Sequence, residues 1–242
     1  MSAQPAPRQR GLVAAALATA TSWLLEPAEP RPELEPVAAA PRPVVAVFGL
    51  ARRCGATTIS RALGAELAAR SGDGACAVSG SGPAGAIPLR TPAAARLARA
   101  LAELVPGRPR ASGRLCLLEA EDPLTLADVA RGLAPLVLDA GTAPGGAFAS
   151  VADRVILVAG PAVEPSLVWA VAASVSRVAA RPLVVVSRSG RRGGDEDRWG
   201  DRADLWLPES RAGAQLALGG REPRGPLGRA VGELADLCEA GA

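Results

Sequence analysis

The strongest chemical signal in this 242-residue chain is one stretch, Gly49-Leu50-Ala51-Arg52-Arg53-Cys54-Gly55-Ala56-Thr57-Thr58, between the apolar run Val44–Phe48 (VVAVF) and a helix-patterned segment that begins at Thr57. A glycine-containing turn from strand to helix can curl successive backbone N–H groups around phosphate oxygens, and the helix N-terminus behind it favours an anion. A loop of that kind ordinarily also carries a lysine for the outer phosphates and a Ser/Thr hydroxyl for Mg²⁺. Gly55 and Thr57 stand in the required relation, but Ala56 takes the lysine's place and Leu50 that of the leading glycine. Arg52, Arg53, Cys54, Gly55, Ala56, Thr57 and Thr58 are therefore the candidate phosphate-binding residues, and Thr57 a candidate metal ligand. An ordinary strand-to-helix turn in a glycine-rich chain is the competing reading of the loop taken alone.

Composition narrows what else the chain can do. It contains no lysine, asparagine, histidine or tyrosine, so no imidazole can serve as base or metal ligand and no lysine can form a Schiff base. All 27 positive charges are arginine and face 24 acids, leaving +3, which gives no electrostatic case for a nucleic-acid binder. Cys54, Cys76, Cys116 and Cys238 are dispersed without a CxxC pair, as in a reduced, cytoplasmic chain. With 49% hydrophobic residues the chain can bury a full-sized core.

The elements that must position the loop read as an α/β pattern. Short apolar runs at Val44–Phe48, Ala75–Val78, Leu115–Leu118, Leu136–Leu138, Val155–Val158, Leu183–Val186 and Leu205–Leu207 alternate with helical segments, which predicts a largely parallel sheet. Helices are expected at Thr57–Arg70, with Ile59, Leu63 and Leu67 on one stripe, and at Pro92–Leu104, Pro165–Ala180, Pro208–Leu218 and Pro226–Glu239. Residues 26–43 are rich in Pro and Glu and read as a semi-extended linker, so the folded domain is expected over 44–242. Residues 1–25 end in an apolar run, Gly11–Leu25, too short for a membrane span. It fits a helix docked on the core or a partner, a helix lying on a membrane surface, or a cleaved signal with an Ala18-Thr19-Ala20 site.

With these elements in place, Phe48–Ala62 (FGLARRCGATTISRA) resembles the deviant P-loop of the MinD/ParA superfamily, and in particular its CpaE/TadZ-like branch. Leu136–Asp139 (LVLD) resembles that superfamily's strand whose terminal acid approaches Mg²⁺ through a water, and Ala152–Val158 (ADRVILV) the strand after it. The resemblance runs in order over about residues 44–240. It implies a three-layer, doubly wound α/β fold with a mostly parallel sheet and P-loop NTPase-like topology. It also implies ATP and Mg²⁺ as cofactors, with Thr57 and Asp139 at the metal, and a homodimer that sandwiches nucleotide.

The departures from that pattern shape the functional expectation. Ala51 stands where the resemblance places a signature lysine, and Arg52 and Arg53 stand at neighbouring glycine positions. Ser79 and Ser81 replace two acids after the second strand, and Ser187-Arg188 stands where Asn-Arg is common, leaving one hydroxyl in place of the amide that reads a base edge. The expectation is a degenerate, CpaE/TadZ-like factor that positions or scaffolds a membrane machine such as a Flp-type pilus or secretion assembly. No catalytic residue is assigned, and hydrolysis is weak or lost. Its partners would be a second copy and the proteins of that machine, with no specific nucleic acid, and its place the cytoplasm, peripheral to the inner face of the membrane. The alternative is an active ATPase of septum placement or partitioning that uses Arg52 or Arg53 in the lysine's stead. Elsewhere, Trp169 reads as core packing or an interface anchor and Glu119, Glu121 and Asp122 as a polar loop and cap. Arg188–Arg202 reads as a solvated loop or a docking surface, and Cys54 as a small apolar filler.

Overall fold

In a computed structural model the chain divides into two units, Met1–Ala39 and Ala40–Ala242. The structure describes residues 42–71, 76–79, 90–105, 108–119, 123–142, 144, 147–189 and 198–240. The apolar run Gly11–Leu25 and nearly all of the Pro/Glu-rich stretch lie outside them, as do Ala75, Ser81, Glu121 and Asp122.

The apolar runs form one eight-stranded sheet. Its strands are β1 (Val44–Gly49), β2 (Cys76–Ser79), β3 (Arg110–Ser112), β4 (Leu115–Leu118), β5 (Leu136–Asp139), β6 (Arg154–Ala159), β7 (Leu183–Ser189) and β8 (Leu205–Pro208). Their spatial order is β3-β4-β2-β5-β1-β6-β7-β8. Every neighbouring pair is parallel except β3–β4. From β1 the chain travels outward to β2 and β4, returns to β5, then crosses to β6 on the other side of β1. The order reverses about β1, and in such sheets the crevice outside the carboxyl ends of the strands at the reversal is where ligands bind.

Helices cover both faces, which is why β1 is a continuous apolar run. Val45 and Val47 face α1 (Ala56–Arg70), α6 (Arg211–Leu218) and α7 (Gly225–Glu239) in one cluster with Leu63, Leu67 and Leu234. Val44, Ala46 and Phe48 face α2 (Pro92–Leu104), α3 (Pro123–Arg131), α4 (Ala147–Val151) and α5 (Pro165–Val175), with Leu101 and Leu126. The three layers and the mostly parallel sheet are those expected from the sequence. Ile59, Leu63 and Leu67 form the buried stripe of α1, but Ala62, Gly64 and Ala65 are buried as well, because these small residues let α1 nest between the sheet, α6 and α7. Arg61 is buried with them at 3% exposure and donates to the Leu218 carbonyl at the end of α6. Burial pulls its pKa down, opposed by the charge of Asp139.

Two aspartates fasten strand starts. Asp153 accepts from the Val44 amide at 2.8 Å while its own N–H donates to the Val44 carbonyl, and Arg131 pairs with its carboxylate at 2.9 Å. Asp204 repeats the two-way exchange with Val184 at the head of β7. Arg42 and Pro43, read as the linker's end, are held to the domain: Arg42 donates to the Gly132 carbonyl, and the Pro43 carbonyl accepts from Leu136.

Several local expectations differ from the structure. The fifth helix ends at Val175 rather than Ala180, since Ser176 turns its hydroxyl back onto the Ala172 carbonyl and three-residue turns lead on to Pro182. The sixth begins at Arg211, where Ser210 caps the Gly213 amide, rather than at Pro208, which ends β8. Strand β3 and helices α3 and α4 are short elements not singled out in the sequence. Trp169 is not core packing: it is 41% exposed on α5. Among the described residues the buried indole is Trp199, near the end of the segment read as a solvated loop, packed edge-on to Trp206. Among the described residues no helix is long and apolar enough to cross a membrane.

Candidate functional site

The loop after β1 sits in the crevice beside the topological reversal. The last residue of β1 and the first of the loop extend strand contacts on both sides: the Gly49 amide donates to the Gly141 carbonyl and the Leu50 amide to the Val158 carbonyl, each at 2.8 Å. The chain then turns over Ala51–Cys54, where the Cys54 amide reaches the Ala51 carbonyl and Arg53 takes φ of 60°. Gly55, at φ 96°, swings the backbone into α1 as its N-cap, a conformation open to glycine at little cost. No side chain caps this helix, so its first-turn N–H groups face the loop without an acceptor from a capping residue.

Close approach explains the other glycine. A Cβ at Gly49 would stand 2.7 Å from the Cys54 Sγ and 3.2 Å from the Ala56 Cβ. Cys54 is buried at 5% exposure, which matches its reading as a small apolar filler that holds the loop against the end of β1.

The Thr57 hydroxyl donates to Asp139 Oδ2 at 2.6 Å. Asp139 ends β5, in register with Val47 of β1. With its hydrogen directed at the carboxylate, the Thr57 oxygen keeps its lone pairs for a cation. Mg²⁺ characteristically takes one or two protein oxygens and completes its shell with waters and phosphates. The two residues therefore fit a metal held jointly with a nucleotide. Among the described residues no group of three or more acidic or cysteine side chains could hold a metal alone, and Glu119 is exposed after β4.

A cleft of about 300 Å³ opens over the loop. Arg53, Cys54, Gly55, Ala56, Thr57 and Thr58 line it together with Asp139, so six of the seven loop candidates and both metal candidates meet there. Arg52 is exposed and does not line it. Gly49 and Ala51 of the same stretch line it too, as do three residues the sequence did not assign to the site: Gly141, Thr142 and Arg188. Gly141 and Thr142 follow Asp139 almost directly, and Arg188 is the penultimate residue of β7, next to Ser187. Ser187 has a different task. It is buried, and its hydroxyl donates to the Cys54 carbonyl, tying β7 to the loop. Ser79 ends β2, two strands from β1.

No family model matches the chain, and no curated protein matches its sequence. Solved structures share its fold. A ParA family ATPase from Chlorobium tepidum TLS superposes with a TM-score of 0.57 at 16% identity, covering 80% of this chain and 98% of that one. MinD in the MinC:MinD cell division complex of Aquifex aeolicus gives 0.56 at 17% identity, covering 83% and 96%. MinD of Aquifex aeolicus on its own gives 0.54 at 17%, covering 83% and 98%. The chain thus has the three-layer, P-loop NTPase-like α/β fold of the ParA and MinD structures.

Proposed function

We propose that this chain is a MinD/ParA-like P-loop protein that binds ATP weakly with Mg²⁺ and turns it over slowly or not at all, acting as a nucleotide-responsive positioning or scaffold factor. One observation carries the reading. The anion-binding backbone and the Thr57–Asp139 pair are assembled in one cleft, while Ala56 leaves that cleft without the lysine such a loop uses. An uncapped helix N-terminus attracts phosphate without a lysine, so binding outlasts catalysis. Phosphoryl transfer depends on positioning and charge stabilisation, and losing the lysine together with the acids replaced by Ser79 and Ser81 costs several powers of ten in rate. Thr57 and Asp139 would hold the metal, which supplies charge neutralisation at the phosphates, and Gly55 with the first turn of α1 would hold the phosphates themselves.

By the CpaE/TadZ-like resemblance, the setting is assembly of a membrane machine such as a Flp-type pilus or secretion system. The protein would work as a cytoplasmic homodimer at the inner face of the membrane, joined through the cleft face. The Thr57–Asp139 contact favours the second reading, an active ATPase of septum placement or partitioning. Calorimetry and a phosphate-release assay separate the two. Weak binding that Thr57→Ala reduces only when Mg²⁺ is present, with release near background, supports the scaffold reading. Turnover like that of ordinary ATPases of this fold promotes the second.

A further inference from the structure

Two non-glycine residues among those described stand on positive-φ backbone, Arg53 at 60° and Arg188 at 58°, and both line the same cleft. They come from separate parts of the fold. Arg53 lies in the turn after β1, and Arg188 lies where β7 loses register with β8 between Ser187 and Ser189. A residue with a β-carbon seldom adopts this conformation, and it persists only where its surroundings over-determine it. The Ser187 hydroxyl donates to the Cys54 carbonyl, joining the immediate neighbours of the two arginines. Both side chains are exposed, and neither has a hydrogen bond or ion pair with another described residue.

We infer that Arg53 and Arg188 form a two-sided cation clamp that replaces the missing lysine and holds the outer phosphate oxygens of a nucleoside di- or triphosphate. The inference rests on the nucleotide reading above. A guanidinium presents a planar fork that binds phosphate oxygens in pairs, where a lysine offers a single point charge. Two forks on one cleft, one from the turn after β1 and one from β7, supply two positive charges without any metal, and they select for a phosphate chain long enough to meet both. A nucleoside monophosphate engages the loop with a single phosphate and gains little from the clamp.

Arg188→Gly tests this, because it removes the cation while relieving the backbone. Calorimetry on the full chain with ATP, ADP and AMP, with and without Mg²⁺, is paired with a thermal melt. The expected result is a melting temperature held or raised, ATP and ADP affinity weakened at least tenfold in both metal conditions, and AMP affinity little changed. Adding Ala56→Lys to Arg188→Gly should recover most of the loss. If the unmodified chain binds ATP and Arg188→Gly binds it equally well, the clamp is overturned and the nucleotide reading stands. If the unmodified chain binds no nucleotide, the reading itself fails and the clamp with it.

Discussion

Alkaline pH should unfold this protein through two thiols. The chain has no lysine, tyrosine or histidine, so above about pH 9 its cysteines are the side chains that titrate before arginine. Cys116 on β4 and Cys238 near the end of α7 are fully buried. Burial pushes both thiols up to about 12 from an ordinary 9.0, and at Cys238 it outweighs the opposing pull of Arg154. The unfolded chain gives up these protons from pH 9 upward, whereas the folded chain keeps them to about pH 12. Stability is therefore intact below pH 9 and lost progressively between the two values. Each thiol removes up to ~1.4 kcal/mol per pH unit, so the pair removes up to about 3 kcal/mol per unit. By pH 11 the loss reaches about 5–6 kcal/mol, enough to unfold a domain at the low end of the usual ~5–15 kcal/mol and to weaken one at the high end. Urea unfolding under reducing conditions from pH 8 to 11 measures this, with Cys116→Ala/Cys238→Ala as the control. The variant starts less stable and should show a much shallower decline. Parallel declines in the two proteins would refute the reasoning.

Gly49→Ala should cost ~1–3 kcal/mol by driving a methyl into the Cys54 Sγ, and Cys54→Ala should recover most of that loss. Gly55→Ala should cost ~1–2 kcal/mol through its positive φ, with Ser187 no nearer than 3.8 Å, so Cys54→Ala recovers nothing there. A double-mutant cycle in urea distinguishes the two. Asp153→Ala strands the Val44 amide at the head of the central strand and should lower stability by ~1–3 kcal/mol, read from the same unfolding curves. Light scattering at tens of micromolar should show ATP and Mg²⁺ raising the mass towards a dimer, and a strict monomer in both conditions would count against assembly through the cleft face.

The α/β pattern was legible because parallel strands covered on both faces must be apolar at every position, as VVAVF is, and α1 must keep its stripe of Ile59, Leu63 and Leu67 against the sheet. The loop was legible too, since a strand running through Gly55 and Thr57 into a helix is a local arrangement. So was Asp139, through the resemblance of its strand, and the structure brings its carboxylate to the Thr57 hydroxyl. Short elements such as β3 and α4 were not, because three to five residues carry too little periodicity to show.

That Trp169 is exposed and Trp199 buried was hidden for a related reason. Burial depends on which neighbours the fold supplies, and the charges flanking Trp199 in sequence say nothing of the sheet edge it covers. Arg188 is the clearest case. It lies 135 positions from Arg53, and no local pattern couples a strand end to a distant turn. What joins them is a hydrogen bond between Ser187 and Cys54, which exists only once β7 has paired with β6 and β6 with β1. The amino-acid sequence alone determined that a glycine-containing turn leads from the first strand into a helix and that no lysine stands in it. Only the tertiary structure decided which arginines reach the cleft, because non-local strand pairing places side chains that sequence separation keeps apart.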